Sequence, residues 1–280
     1  MLSRREQLAV VYCLVDDRFK TEKNGGQWRK SNHHSKGTDA EIMAVALRQS
    51  YFGTATLKRT YLLVKANDPQ AFPHLPGYKQ WLARWQQVSF QLGVLLESVP
   101  VPLTDLDEIY LIDSFPINLC QALRHGRVNL LRDEGAYFGK GSKGWFFGFK
   151  LHVVTTRTGQ IMGAVLLSTS YDDRAGARML ASLLAEGSLA LADLGYRGAK
   201  FQLEMYEEEG VLFLTRADLA SQSLKIMHAK LRVRVEGVFS SLWERFATRV
   251  YARSWPGLWN TLKLKLLDYK LCFAKLISYA

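Results

Sequence analysis

Apolar residues at helical spacing open the chain, recurring between residues 6 and 16 at a period that buries one helix face. The next stretch, Arg18 to Lys36, is polar and basic. It holds Lys20, Lys23, Arg29, Lys30, His33 and His34 with few apolar anchors, and reads as a loop. Thr38-Asp39-Ala40-Glu41 has the form of a capping box, with Thr38 as N-cap and Glu41 at the third helical position. The helix it opens runs through Ile42, Val45, Ala46 and Gln49. Gly53-Thr54 interrupts, and a further helical stretch covers Ala55 to Lys65. Pro69, Pro73 and Pro76 break the pattern again. Tyr78, Trp81, Leu82, Trp85, Val88, Leu92 and Leu95 then share one apolar face, a spacing that places the tryptophans in a core rather than against bases. Ser98-Val99-Pro100-Val101-Pro102 is the candidate linker, which sets residues 1–102 apart as a mainly helical N-terminal region.

Beyond the linker the period changes. Ile109-Tyr110-Leu111-Ile112 is a short apolar run that ends at Asp113. Trp145 to Thr155 is a long aromatic and β-branched run, and the turn Arg157-Thr158-Gly159-Gln160 joins it to a run from Ile161 to Ser168 as a hairpin. Residues 173 to 186 read as helix. Leu189-Ala190-Leu191-Ala192 is a second short apolar strand that also ends at an aspartate, Asp193. A short helix, a strand at Val211 to Thr215 and a long C-terminal helical region follow. Apolar strands alternating with helices imply an α/β class with a sheet covered on both faces, over residues 103–280.

Composition sharpens this only in part. An apolar fraction of 48% supports a real core, so the chain is not disordered. The 37 Lys and Arg against 26 acidic residues leave a formal charge of +11, which favours a polyanionic partner such as nucleic acid. Cys13, Cys120 and Cys272 are widely separated and form no CxxC pair, so buried thiols in a reducing compartment are expected rather than a zinc knuckle or a disulfide framework. No apolar run is long enough to cross a bilayer and the first residues are charged, so a soluble intracellular protein is expected.

Two aspartates that each follow a buried strand would converge beyond the carboxyl ends of those strands. Such a pair repels itself unless a cation is shared, and an all-oxygen donor set suits Mg²⁺ or Mn²⁺. Glu236 lies at the shoulder of a helical stripe formed by Leu231, Val235, Val238, Leu242 and Phe246, with Arg232 one turn earlier. Taken alone, Glu236 and Arg232 would be an exposed i, i+4 ion pair. Asp172-Asp173 is read as a helix start with Asp173 as N-cap. His33-His34 has no acidic or Cys partner nearby and is assigned no role.

Asp113 in Leu-Ile-Asp-Ser-Phe-Pro-Ile, Asp193 in Ala-Asp-Leu-Gly-Tyr-Arg-Gly and Glu236 in Arg-Val-Arg-Val-Glu-Gly-Val-Phe-Ser together resemble the DDE transposases of bacterial insertion sequences. The segment Gly144 to His152 resembles a strand of one branch of that superfamily. The likeness covers roughly Asp107 to Arg245. Asp193 follows Asp113 by 80 residues and Glu236 follows Asp193 by 43, a spacing that suits a ribonuclease-H-like domain without a large insertion. Many relatives carry Tyr, Arg, Glu and Lys around the glutamate. Arg232 fits, but Ala229 and Trp243 stand where Tyr and Lys belong, so those two DNA-contact roles do not carry over.

The resemblance implies a ribonuclease-H-like mixed sheet with flanking helices, preceded by a helical DNA-binding region. It implies two Mg²⁺ or Mn²⁺ ions held by Asp113, Asp193 and Glu236, which cut transposon ends and join them to target DNA. Double-stranded DNA is the expected partner, with a homodimer on the DNA. Arg197, Arg232, Arg234, Lys143 and Lys150 are the candidate phosphate contacts, and His152 is read as a structural histidine. The basic C-terminal helices, with Lys263, Lys265, Lys270 and Lys275, belong in this reading to the catalytic domain. A nuclease without strand transfer, or a non-catalytic DNA-binding descendant, remains open as an alternative.

Overall fold

Thr38 caps its helix on both sides. Its hydroxyl accepts from the Glu41 N–H at 3.1 Å, and its own N–H donates to the Glu41 carboxylate. The computed structural model that shows this describes residues 3–22, 36–100, 108–120, 128–141, 144–246 and 252–277. The chain divides into two compact units. One comprises Met1–Pro100, Glu244–Tyr251 and Pro256–Ala280, and the other Val101–Trp243 and Ala252–Trp255.

The first unit is helical: α1 (Arg4–Glu22), α2 (Asp39–Tyr51), α3 (Leu57–Asn67), α4 (Tyr78–Val88) and α5 (Leu92–Ser98). α1 overruns the stretch read as a loop from Arg18, because Phe19 is buried and Lys20 pairs with Asp16 one turn back at 2.7 Å. Residues 23–35, with His33 and His34, lie outside the described residues. A 3₁₀ turn at Ser89–Gln91 splits the expected long helix into α4 and α5. Trp81 and Trp85 are core, as their spacing implies, and stack 6.3 Å apart.

Two further helices follow the sheet in sequence, α8 (Gln222–Phe246) and α9 (Trp255–Phe273). Leu264, Leu267 and Leu271 of α9 are buried in one cluster with Val15, Ile42, Val64, Trp81 and Leu92. α9 thus packs with the N-terminal helices, whereas most of α8 belongs to the sheet unit. Alternating Lys and Leu suggested a basic outer face, yet Lys265 and Lys270 are buried, and Lys270 Nζ donates to the Leu96 carbonyl at 2.6 Å. The long lysine stems pack in the core while their ammonium groups find polar partners.

Among the described residues the second unit holds six strands: β1 (Ile109–Asn118), β2 (Tyr137–Gly141), β3 (Gly144–Thr156), β4 (Ile161–Ser168), β5 (Leu189–Ala192) and β6 (Leu212–Thr215). Two helices lie between strands, α6 (Asp173–Ala181) and α7 (Ala199–Glu209). β1 is central. It pairs antiparallel with β3 and parallel with β5, which in turn pairs parallel with β6. β2 and β4 add to β3, both antiparallel, so the sheet is mixed. Alternate residues of β1 face opposite ways. Tyr110 and Ile112 join a core with Ala177, Leu180, Tyr196 and Phe201 of the α6–α7 side, and Phe115 stacks on Phe239 of α8 at 5.5 Å. β2 was not anticipated from the sequence. Neither was the length of β1, which runs five residues past Asp113, through Pro116, rather than ending there. Pro116 is tolerated because pairing with β5 stops at Leu111, which leaves the second half of β1 bonded on the β3 side.

Candidate active site

Parallel register brings Asp113 and Asp193 together. Ile109, Tyr110 and Leu111 lie beside Leu189, Ala190 and Leu191, and the same offset of 80 carried two residues on sets Asp113 beside Asp193. β5 ends at Ala192, so Asp193 lies where that strand gives out while Asp113 is mid-strand in its neighbour. The two carboxylates accordingly differ. The Asp113 side chain is 18% exposed and the Asp193 side chain 64%. Burial pushes the Asp113 carboxyl above the usual carboxylate range, outweighing the nearby Arg232 guanidinium and the Ser114 N–H, which pull the other way.

One guanidinium serves both acids. Arg232 Nη2 donates to Asp113 Oδ2 at 2.7 Å and lies 4.0 Å from Asp193 Oδ2. Arg232 therefore pairs across the sheet rather than with Glu236 on its own helix. Its Nη1 is buried and has no hydrogen-bond partner among the described residues. α8 is held in place for this by Val235, Val238 and Leu242, all buried, and by His228, whose Nε2 lies 3.3 Å from the Ala192 carbonyl at the end of β5. Burial lowers the His228 pKa, which keeps the imidazole neutral beside Arg232. His228, Arg232 and Glu236 recur every four residues and so lie along one side of α8.

Glu236 is exposed on the turn after Arg232. Among the described residues no three His, Cys, Asp or Glu side chains form a group that could hold a metal ion, so Glu236 is not drawn together with the two aspartates. The aspartate pair itself fits a hard cation: its donors are all oxygen, its charges are adjacent, and a cationic group already lies between them.

Behind Asp113, on the opposite face of the sheet, is a polar cluster that the sequence did not reveal. Asp172, not Asp173, caps α6, accepting from the Ala175 N–H at 3.0 Å. Asp173 is thereby turned toward the sheet. It accepts from Lys150 Nζ at 2.9 Å and from the Ser114 hydroxyl at 3.2 Å. His152, fully buried, shares a 3.3 Å hydrogen bond through Nδ1 with the Tyr196 hydroxyl. Burial lowers the His152 pKa to about 4, and burial likewise raises that of Tyr196 well above the ordinary phenol range. The adjacency of Ser114 to Asp113 was the available clue, and the Tyr of Asp-Leu-Gly-Tyr-Arg-Gly was the other.

The candidate phosphate contacts are differently engaged. Lys150 is committed to Asp173. Arg197, just over half exposed, donates to Asp218 at 3.2 Å. Arg234 is exposed and donates to the Arg157 carbonyl at 3.2 Å. Lys143 lies outside the described residues.

The family described as Transposase DDE domain matches residues 103–246, just over half the chain and the span that carries all three acids. The chain belongs to this DDE transposase family. No curated protein matches the sequence significantly. Among solved structures, a Mos1 transposase paired-end complex with left transposon end is similar at 16% identity and a TM-score of 0.25, over 94% of this chain and 86% of that one. A pre-cleavage Mos1 transpososome is similar at 13% identity and a TM-score of 0.20, over the whole of both chains. At those TM-scores neither likeness bears on the fold or the chemistry. Membership of the DDE family rests on the matched span. No described helix is long and apolar enough to cross a membrane; no disulfide joins the three cysteines, and Cys13 is exposed rather than buried.

Proposed function

We propose that the chain is a DNA transposase that cleaves the ends of an insertion sequence and transfers the freed strands into target DNA. The observation that carries this is the Asp113–Asp193 pair, held by register at the end of β5 with a single guanidinium between the two carboxylates. Two such acids on neighbouring strands of a mixed sheet, with β1 central, support a ribonuclease-H-like catalytic domain. The chain's excess of 11 positive charges supports double-stranded DNA as partner.

Asp113 and Asp193, with Glu236 from α8, would hold two Mg²⁺ or Mn²⁺ ions. Bound there, the ions supply activation of the attacking oxygen and stabilisation of the leaving oxygen. The protein's own groups do the rest. Asp113, half enclosed by the sheet and α8, limits water around the scissile phosphate. Arg232, and Arg234 and Arg197 farther out, supply donors to phosphate oxygens. Water first attacks at the transposon end, breaking one phosphodiester bond and freeing a 3′-hydroxyl. That hydroxyl then attacks target DNA, and one phosphodiester bond forms as one breaks, so no nucleotide cofactor is consumed. The helical unit is assigned to recognition of the ends, and a homodimer to bringing two ends together.

Labelled DNA carrying the element's own ends, incubated with Mn²⁺ or Mg²⁺, tests this for the wild type and Asp193→Asn. Metal-dependent nicking at the ends, with joined products, both lost in the variant, is the expected outcome. Nicking without joining would replace the proposal with a nuclease. Binding by folded protein with no cleavage would leave a DNA-binding descendant.

A further inference from the structure

Arg232 lies against both carboxylates of the aspartate pair. From its single contact nitrogen it neutralises Asp113 at 2.7 Å and reaches toward Asp193 at 4.0 Å, while Nη1 is buried without a partner among the described residues. This is an incomplete use of a guanidinium. A carboxylate opposite an arginine ordinarily takes two parallel N–H bonds, and a buried unpaired N–H is costly. The arrangement satisfies the acids better than it satisfies the arginine.

Resting on the DDE reading above, we infer that Arg232 is the resident counter-ion of the Asp113–Asp193 pair and that it must withdraw from Asp113 for a divalent metal to bind. The reason is electrostatic and steric together. Mg²⁺ and Mn²⁺ require short contacts to carboxylate oxygens, about 2.0–2.2 Å; Asp113 Oδ1 already accepts from the Ser114 N–H at 2.7 Å, and Oδ2 is held by Arg232. A guanidinium left at hydrogen-bond distance from that oxygen would also face the metal's two positive charges in a half-buried place, where Coulomb repulsion is poorly screened. Exchange needs no movement of the helix. Val235, Val238 and Leu242 keep α8 on the sheet, and His228 fixes the turn before Arg232, so only the long side chain swings. Withdrawal breaks one charge-assisted bond and ends the stranding of Nη1, so the latch is weak enough to open. In its closed state it keeps two adjacent carboxylates from repelling each other. The apparent metal affinity is then the intrinsic affinity reduced by the fraction of molecules in which the latch is open.

The experiment is direct Mn²⁺ binding by titration calorimetry on the full chain without DNA, comparing wild type, Arg232→Gln, Arg232→Met, Arg234→Gln and Asp113→Asn. Removing the latch is expected to tighten Mn²⁺ binding on the order of tenfold in both Arg232 variants, because the competitor is gone. Arg234→Gln removes the same charge from the same helix without touching either acid and is expected to change affinity less than twofold. In parallel, the metal-free Arg232 variants melt below the wild type, and saturating Mn²⁺ narrows the gap. Both Arg232 variants are neutral, so whichever folds decides the matter. Mn²⁺ affinity unchanged or weakened in a folded Arg232 variant overturns the inference and leaves the metal site standing. Equal tightening by Arg234→Gln also overturns it, since the effect would then be one of overall charge. Equal binding by wild type and Asp113→Asn removes the metal site itself, and the inference with it.

Discussion

Lys150 Nζ and Asp173 Oδ1 are 2.9 Å apart on the face of the sheet opposite Asp113, so the lysine's charge is neutralised within the protein. About a fifth of each side chain remains accessible, which reduces the value of the pair below that of a fully buried one. Lys150→Met is expected to lower stability by roughly 1–3 kcal/mol, mostly through the carboxylate it leaves uncompensated. The salt dependence of DNA binding should hardly change. Lys140, exposed on β2, should behave in the opposite way: Lys140→Ala leaves stability within about 0.5 kcal/mol and lowers the salt slope by about one if it meets a phosphate. Urea titrations paired with binding at several salt concentrations separate the two effects.

Gly176 and Gly237 give a matched pair of tests. A Cβ at Gly176 would lie 2.3 Å from His152 Cγ and 2.4 Å from Nδ1, closer than atoms can pack. Gly176→Ala should therefore cost about 1–3 kcal/mol or more, by pushing α6 off the sheet. At Gly237 a Cβ meets nothing within 4 Å, and the residue is inside α8. Gly237→Ala should gain about 0.5–1 kcal/mol from helix propensity alone. Chemical denaturation of both proteins is the check, and loss of stability in both would mean that α8 is misplaced.

His152 should make acid weaken the fold. Its folded pKa of about 4 lies below the ordinary 6.5, so between those values the unfolded chain binds a proton that the folded chain excludes. Stability from this group is complete above pH 6.5. It declines as pH falls toward 4, by at most about 1.4 kcal/mol per pH unit, and is level below that. Replacing His152 with Asn should flatten the pH dependence of unfolding in that window, measured relative to the wild-type curve.

Arg197 shares Asp218 with Gln202 and with the Thr215 N–H and hydroxyl. The acid stays satisfied without it, so Arg197→Ala should cost less than about 1 kcal/mol in stability. If Arg197 turns to the DNA, the same change should weaken binding evenly across sequences and reduce the salt slope by about one. A large stability loss with an unchanged slope would assign Arg197 to the β6 turn.

Strands β3, β4 and β5 were legible because each is a run of apolar residues bounded by a turn or an acid, and local pattern is enough for that. β1 past Asp113 was not, because Ser114 and Pro116 are poor strand formers and only pairing with β3 extends them. β2, with two glycines in five residues, has almost no local preference for a strand. The Asp113–Asp193 adjacency could be expected from two strand-ending acids, though β1 turned out not to end there. Arg232 could not be read correctly from sequence, since its i, i+4 neighbour Glu236 is the obvious partner and the real one, Asp113, is 119 residues away. The same limit hid Asp173, whose contacts with Ser114 and Lys150 depend on how α6 meets the sheet.

The helical core that encloses Leu264, Leu267 and Leu271 has a consequence for synthesis. On a ribosome, α1 to α5 emerge first but cannot close over their own apolar surfaces until the last of these leucines is out. The sheet unit, begun a hundred residues later, has its described strands by Thr215 and most of α8 by Trp243, while the helices before it still wait. The unit that starts the polypeptide is thus the last to finish folding, and a nascent chain halted near residue 250 would carry N-terminal helices that lack their final partner.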